Sequence, residues 1–324
     1  MATTIRFHST GGPEVLRVEQ QAVPAPGPGE ALVRHTAVGL NYIDTYHRSG
    51  LYPVELPSGL GIEAAGVVES VGEGVTGLGA GDRVAYAGGP LGAYSEARVM
   101  PARVLVPLPA GVDDAQAAAA MLKGMTAQYL LRRTHRVEPG ETILVHAAAG
   151  GVGLIMCQWA KHLGATVIGT VGSDEKAALA ARHGCDHPVV YTREDFTARV
   201  RELTGGRGVP VVYDSVGRST WAGSLDCLQP LGLMVSFGNA SGPVEPFAPT
   251  LLAAKGSLFL TRPSLMAYTA SREDLLATAG DLFDVMLSGA VKMEIGQTFP
   301  LARAAEAHRA LEGRRTVGST LLVP

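Results

Sequence analysis

Cysteine is scarce in this sequence: three residues, at 157, 185 and 227, far apart and odd in number. That scarcity excludes a disulfide framework and fits a reducing compartment, so a cytoplasmic protein is expected. An excess of charge of either sign is missing too. The 27 Lys and Arg against 30 Asp and Glu give a formal net charge of −3. No basic surface for nucleic acid or an anionic membrane follows from such a balance. Aromatic residues are few, 6% of the chain, and form no stripe interleaved with basic ones, so nucleic acid is not an expected partner. The opening MATTIRFHST has no apolar segment of the secretory kind. Neither a G-x-S-x-G elbow nor a Walker A lysine occurs, which removes the hydrolase and P-loop readings.

Long hydrophobic runs are absent with one exception. Residues 142–160, TILVHAAAGGVGLIMCQWA, hold no Asp, Glu, Lys or Arg. The Gly150–Gly151 pair divides the run into a short β-branched half and a longer helical half. A buried strand–turn–helix is therefore expected rather than a membrane span.

Glycine, by contrast, is plentiful at 41 residues, enough for many tight turns or for backbone close to a ligand. Over residues 1–110 short apolar runs alternate with Gly and Pro, as in EALVRHTAVG, GIEAAGVVESVGEGV and GDRVAYAGG. That rhythm predicts an all-β, barrel-like unit. Asp113 or Asp114 then caps a helix, DDAQAAAAMLKGMTAQYLL, with a bend expected near Gly124. From residue 141 strands alternate with helices: ETILVHA, ATVIGTV, HPVVY, VPVVYDSV, LGLMVSFG and GSLFLT. The alternation predicts a parallel sheet covered on both faces. Beyond Arg262 and Pro263 an amphipathic helix, a last helix and the strand STLLVP break this rhythm, so the chain is expected to return to the first domain. The expected division is 1–123, 124–265 and 266–324, the outer parts forming one domain.

The turn HAAAGGVG sets Ala147, Gly150 and Gly153 three apart between strand and helix. Small residues there let the backbone approach a pyrophosphate, and the helix start offers free N–H groups and a positive dipole end. Gly150, Gly151, Val152 and Gly153 are accordingly candidate cofactor contacts.

GETILVHAAAGGVGLIMCQWAK resembles the signature of the quinone oxidoreductase/zeta-crystallin branch of the medium-chain dehydrogenase/reductase superfamily. The likeness extends through NYIDTYHRSGLYP, LKGMTAQYLL, YDSVGRSTW and SLDCLQPLGLMVSFGNASG to LTRPSL. It implies an α/β chain: a doubly wound Rossmann sheet plus a GroES-like β-barrel catalytic domain built from both chain ends. It also implies hydride transfer from NADPH to a quinone, with release of semiquinone as one outcome. Two other activities share the resemblance: reduction of activated C=C bonds such as enones, and a non-catalytic NADPH-holding, RNA-binding or crystallin-like role.

Zinc alcohol dehydrogenases of the superfamily hold their metal with Cys and His in segments that here read GLNYID and GIE. Asn41 and Ile62 stand in those places, and four closely spaced cysteines for a structural zinc are missing. No metal is expected. An electron-poor quinone accepts hydride without the Lewis acid that an alkoxide needs. The cluster HGCDH, with His183, Cys185 and His187, reads as a helix C-terminus with its cap, leading into a strand.

By resemblance Asn41, Asp44 and Tyr46 lie beside the nicotinamide, and Tyr52 and Arg262 shape the quinone pocket. An aromatic ring can lie against a flat quinone, and a guanidinium can stabilise a growing oxyanion. Tyr46 and solvent both stand as proton donors. Thr126 is expected at the nicotinamide, with Ser215 and Gly217 after the fourth strand and Phe237, Gly238 and Asn239 after the fifth, since ligands of such sheets bind beyond the strands' carboxyl ends. Arg314 is a candidate for the phosphates. In VIGTVGSDEK no carboxylate falls in the ribose-reading slot, so Gly172, Ser173 and Lys176 predict a 2′-phosphate and hence NADPH; the resemblance implies Tyr191, after the third strand, as a further phosphate contact. The apolar strand GSLFLT reads as an outermost strand whose edge must be covered, and the resemblance implies that a second copy covers it across a two-fold, so a homodimer is expected.

Overall fold

A computed structural model describes residues 1–324, which form two compact units. One comprises Met1–Met125, Thr269–Leu287 and Met293–Pro324; the other comprises Thr126–Tyr268 and Ser288–Lys292.

The first unit is the β-rich one. Its larger sheet runs in the order Ile295–Pro300, Ser319–Val323, Glu30–Leu40, Glu63–Val71, Arg83–Ala87 and Val106–Pro107, with Ala97–Pro101 also paired to Glu30–Leu40. A smaller sheet joins Arg17–Gln21, Ala2–Phe7 and Ser58–Gly59. Alternate residues of Glu30–Leu40 face inward, and the strand shifts register twice against Glu63–Val71, as a strongly bent barrel strand does. Phe7, Val33, Leu60, Tyr86, Tyr94 and Leu322 fill one core. Leu322 lies in the strand Ser319–Val323, so the last segment of the chain is part of the first barrel. The strand Ile295–Pro300, not anticipated from IGQTFP, pairs at the edge of this sheet, where its half-exposed alternation carries little hydrophobic signal.

Two further features depart from the sequence reading. The segment Tyr42–Ser49 is a helix within the otherwise β-rich part, started at Asn41 and stopped at Gly50, whose φ of 84° is left-handed. The later helix, Asp114–Tyr129, runs through Gly124 without interruption. Asp113 caps it by accepting the Gln116 N–H at 2.7 Å. A Cβ at Gly124 would lie 2.4 Å from Leu282, so the glycine admits a neighbouring side chain and does not mark a bend. The irregularity comes later, as a π-helical turn over Leu130–Thr134.

The second unit holds six parallel strands in the order His187–Val190, Thr166–Val171, Thr142–Val145, Val209–Asp214, Leu228–Ser236 and Phe259–Thr261. Counted along the chain this is 3-2-1-4-5-6, the Rossmann order, as expected. The uncharged run 142–160 supplies its central strand and the buried helix Gly151–His162, whose Leu154, Ile155, Met156 and Trp159 are enclosed. No helix of the chain is long and apolar enough to cross a membrane. His183, Cys185 and His187 do not converge: His183 Nδ1 bonds the Leu179 carbonyl at 2.9 Å and Cys185 is buried against Val167.

Candidate active site

The helix Tyr42–Ser49 exists because Asn41 can leave it in extended conformation while the Asp44 carboxylate turns back to accept the Asn41 N–H at 2.9 Å. Catalytic candidates Asn41, Asp44 and Tyr46 therefore share one helical start. The Asn41 amide does not point to solvent: Nδ2 donates to Glu63 Oε2 at 2.7 Å. Glu63 is itself fully buried, and Lys123 Nζ approaches the same oxygen at 3.1 Å. Asp44 Oδ2 also accepts the Tyr94 hydroxyl at 2.8 Å, whereas Oδ1 has no partner although buried. Burial pushes the Asp44 carboxyl up to about 7, against the lowering effect of the Asn41 N–H, Tyr94 and Lys123. At neutral pH this group is thus poised between acid and carboxylate.

Tyr46 and Tyr52 meet edge to face with ring centroids 5.2 Å apart. Tyr42 and His47 extend this cluster, at 5.7 Å from Tyr46 and 5.9 Å from Tyr52 respectively. The result is an aromatic wall beside Asn41 and Asp44, suited to a flat apolar ring. Arg314, exposed and with a left-handed φ of 55°, belongs to this unit, where its charge acts on Tyr42; it is not in the unit of the glycine turn.

In the second unit the strand Thr142–Val145 ends in a turn that only small residues fit. Ala147 takes a φ of 53°, and a Cβ on Gly153 would lie 2.3 Å from the Ala147 carbonyl oxygen. Gly150 caps the helix Gly151–His162, so the N–H groups of Gly151, Val152 and Gly153 lie in its first turn, where intrahelical acceptors are missing. Asp214, at the end of the fourth strand, fixes the next turn: Oδ1 accepts the N–H groups of Val216 and Gly217 at 2.7 and 2.9 Å. Its Oδ2 accepts the hydroxyls of Thr220 and Ser224, and Ser224 Oγ lies 2.9 Å from His146 Nε2. A Cβ on Gly238 would lie 2.3 Å from the Ser215 carbonyl oxygen, so the turns after the fourth and fifth strands, carrying Ser215, Gly217, Phe237 and Gly238, pack backbone to backbone. Arg262 braces the second of these turns by donating to the Ser236 carbonyl at 2.8 Å, and because a guanidinium only donates, the Asn239 amide is assigned with its oxygen toward Arg262 Nη2, 3.2 Å away. Thr126 begins this unit and its hydroxyl bonds the buried phenol of Tyr129.

At the end of the second strand Ser173 caps the helix Asp174–Arg182, accepting the Lys176 N–H at 3.3 Å. A Cβ on Gly172 would lie 3.1 Å from the Tyr191 hydroxyl, so Tyr191 closes over the strand end. Asp174 is held by Arg193 through contacts of 2.6 and 2.8 Å. The cradle at these strand ends has glycines where the backbone must come close, helix N–H groups suited to a pyrophosphate, and an acid, Asp174, already paired with Arg193. These features fit a phosphorylated dinucleotide.

Sequence reasoning missed Glu63, Lys123, Tyr94, His308 and Arg193. One signal was available: Lys123 is the sole charged residue between Asp114 and Arg132, an anomaly on a helix so rich in alanine. No group of three or more His, Cys, Asp and Glu side chains gathers to hold a metal.

A Rossmann sheet whose flanking segments build a GroES-like barrel is the plan of a medium-chain dehydrogenase/reductase. Known proteins agree. Residues 27–110 match the family described as alcohol dehydrogenase GroES-like domain, and residues 151–279 the one described as zinc-binding dehydrogenase. A quinone oxidoreductase of Pseudomonas aeruginosa is 57% identical, with both chains covered in full. A 2-haloacrylate reductase of a Burkholderia species is 49% identical over 98% of each chain. The crystal structure of Escherichia coli quinone oxidoreductase complexed with NADPH superposes with a TM-score of 0.98 at 52% identity, covering 99% of this chain and 100% of that one. The chain belongs to the quinone oxidoreductase family of the medium-chain dehydrogenase/reductase superfamily.

Proposed function

We propose that this chain is a metal-independent NADPH:quinone oxidoreductase. The observation that carries the reading is the second strand's end, the slot we assign to the ribose: Ser173 caps the helix Asp174–Arg182 there, Lys176 stands in its first turn, and Asp174 is paired with Arg193. Such a slot favours a 2′-phosphate over a free 2′-hydroxyl. The Gly150–Gly153 helix start, Ser215, Gly217, Phe237, Gly238 and Asn239 would hold the rest of the cofactor, with Thr126 and Asn41 at the nicotinamide and Arg314 toward the phosphates. Bound in this way, NADPH supplies the hydride.

The chain's own residues do the remainder. Tyr46 and Tyr52 orient a flat acceptor and exclude water from one face. Asn41, fixed by Glu63, and Asp44, fixed by Tyr94, set the polar edge of the pocket, and Arg262 holds Asn239 in place. The homology with a 2-haloacrylate reductase favours one competing reading, reduction of an activated C=C bond. Steady-state oxidation of NADPH with 1,4-benzoquinone against a panel of enones and 2-haloacrylates separates them. A kcat/KM for the unsaturated acids or enones exceeding that for the quinone by orders of magnitude would reject the quinone reading.

We also infer a homodimer formed through the strand Phe259–Thr261. It is an outer strand of its sheet, and Phe259 and Leu260 are exposed there. A cytoplasmic setting suits the three free, buried thiols.

A further inference from the structure

Lys123 is buried in the first unit, its side chain only 8% exposed. Its ammonium meets Glu63 Oε2, an oxygen that also accepts the Asn41 amide, while Glu63 Oε1 accepts the Leu122 backbone N–H. Glu63 is thus fully engaged, but the ammonium has three N–H donors and Glu63 takes one. A second carboxyl, Asp44, lies within electrostatic reach. Replacing a buried ion pair by apolar residues of similar volume is commonly neutral or stabilising, so stability gives little reason for Lys123 to sit there. Its placement next to Asn41 gives a chemical one.

We propose that Lys123 is the cationic group of the reductase site, donating to the acceptor oxygen on which negative charge collects. The inference rests on the reductase reading above. As hydride adds to the acceptor, the π-electron pair of the attacked carbonyl system moves onto oxygen. The ammonium hydrogen-bonds that oxygen and keeps its own three protons, and water supplies the proton that completes the reduced product. Preorganised donors aimed at developing charge are usually the largest single contribution to such a step. Glu63 fixes the ammonium in position and Asn41 shares the same anchor, so the cation and the amide move as one piece.

The test uses 4-nitrophenol, whose phenolate absorbs visibly and mimics the oxyanion, bound to NADP⁺-saturated protein. In the wild type the bound phenol should ionise at a pH about one unit lower than in Lys123→Met, a tenfold change of the order expected for one charge-assisted hydrogen bond. Lys123→Arg should retain part of the shift. Because Lys123→Met leaves Glu63 buried without its counter-charge, the double variant K123M/E63Q is measured beside it, with near-UV circular dichroism as the check on folding. An identical ionisation midpoint in the wild type and the double variant overturns the assignment, and so does failure of the wild type to bind the phenol. Turnover with NADPH and 1,4-benzoquinone is followed separately. If the wild type lacks turnover while the Lys123-dependent shift persists, the quinone reading falls and the cation assignment stands. With turnover intact, the double variant should lose kcat more than it gains KM, since the oxyanion exists only beyond the ground state.

Discussion

Arg48 Nη1 lies 2.9 Å from His308 Nδ1, joining the helix Tyr42–Ser49 to the helix Ala304–Glu312 across 260 residues of sequence. The direction of every bond beyond it follows from this pair. Arginine has no acceptor, so His308 Nδ1 must accept and Nε2 carries the proton. Nε2 then donates to the Tyr94 hydroxyl at 3.1 Å, and Tyr94 donates to Asp44 Oδ2. Glu312 clamps Arg48 from the other side at 2.6 and 3.0 Å. Because the row ends on a guanidinium that does not give up its proton, it fixes Asp44 and cannot deliver protons to it.

His308 should make the protein acid-sensitive. Burial and the Arg48 charge hold its pKa down at about 3, below the unfolded value near 6.5. The unfolded chain therefore binds the proton first, and stability is complete above about pH 6.5 and lost as pH falls toward 3. Denaturant melts at pH 7 and pH 4.5 should show a loss approaching roughly 1.4 kcal/mol per pH unit from this residue. His308→Gln should flatten that slope, though His35, held at about 4 by burial, leaves a similar contribution behind.

Asp44 works in the opposite sense. Its folded pKa of about 7 lies above the unfolded carboxyl value, so the folded state loses stability as pH rises from about 4 to 7. Asp44→Asn keeps an acceptor for Tyr94 and Asn41 and has no charge to bury. It should be more stable than the wild type at pH 8, by a margin that grows from pH 4 to 7 and then levels, while reductase turnover falls. A variant both less stable at pH 8 and fully active would contradict the picture.

Lys176→Ala should weaken NADPH by about ten- to a hundred-fold, the worth of one charge-assisted hydrogen bond, and leave NADH nearly unchanged. Arg193→Ala should act in the same direction more mildly, because it releases Asp174 to repel the 2′-phosphate. Dissociation constants for both cofactors decide the matter. Equal weakening of NADH and NADPH would mean that an acid, and not Lys176, reads the ribose.

Metal removal should change nothing. Dialysis against EDTA is expected to leave turnover intact, and elemental analysis to find far less than one zinc per chain. Activity lost to the chelator and restored by zinc would return the alcohol dehydrogenase reading.

Phe259→Lys should convert a dimer to a monomer. Placing a charge on the outer strand is a common way to block edge pairing. Light scattering at micromolar concentration checks this, and a wild type that is already monomeric would remove the proposed interface.

Much of the fold was legible because its signals are local. The Gly150–Gly153 turn, the uncharged run around it and the strand–helix alternation after residue 141 each depend on neighbours in sequence. The helix Tyr42–Ser49 was legible in principle, from Asn41 and Asp44 at its start and Gly50 at its end, but short apolar runs on both sides favoured strands. What could not be read was the set of partners. Glu63 and Lys123 stand 60 residues apart and His308 another 185 beyond Lys123, and only the closed barrel brings Arg48 to His308. The strand Ile295–Pro300 was missed for the same reason: its pairing with Ser319–Val323, and not its own pattern, makes it a strand.

The position of Ser319–Val323 between Ile295–Pro300 and Glu30–Leu40 bears on how the protein is made. A ribosome has released the whole nucleotide-binding unit before it reaches residue 319, so that unit can mature while its host barrel still lacks an inner strand. Until then Glu30–Leu40 presents an unpaired, apolar flank, the kind of surface that draws chaperones or wrong partners. Loss of the last six residues should therefore do far more harm than fraying: it should leave a barrel that never closes, recovered from cells in inclusion bodies even though its Rossmann unit has folded.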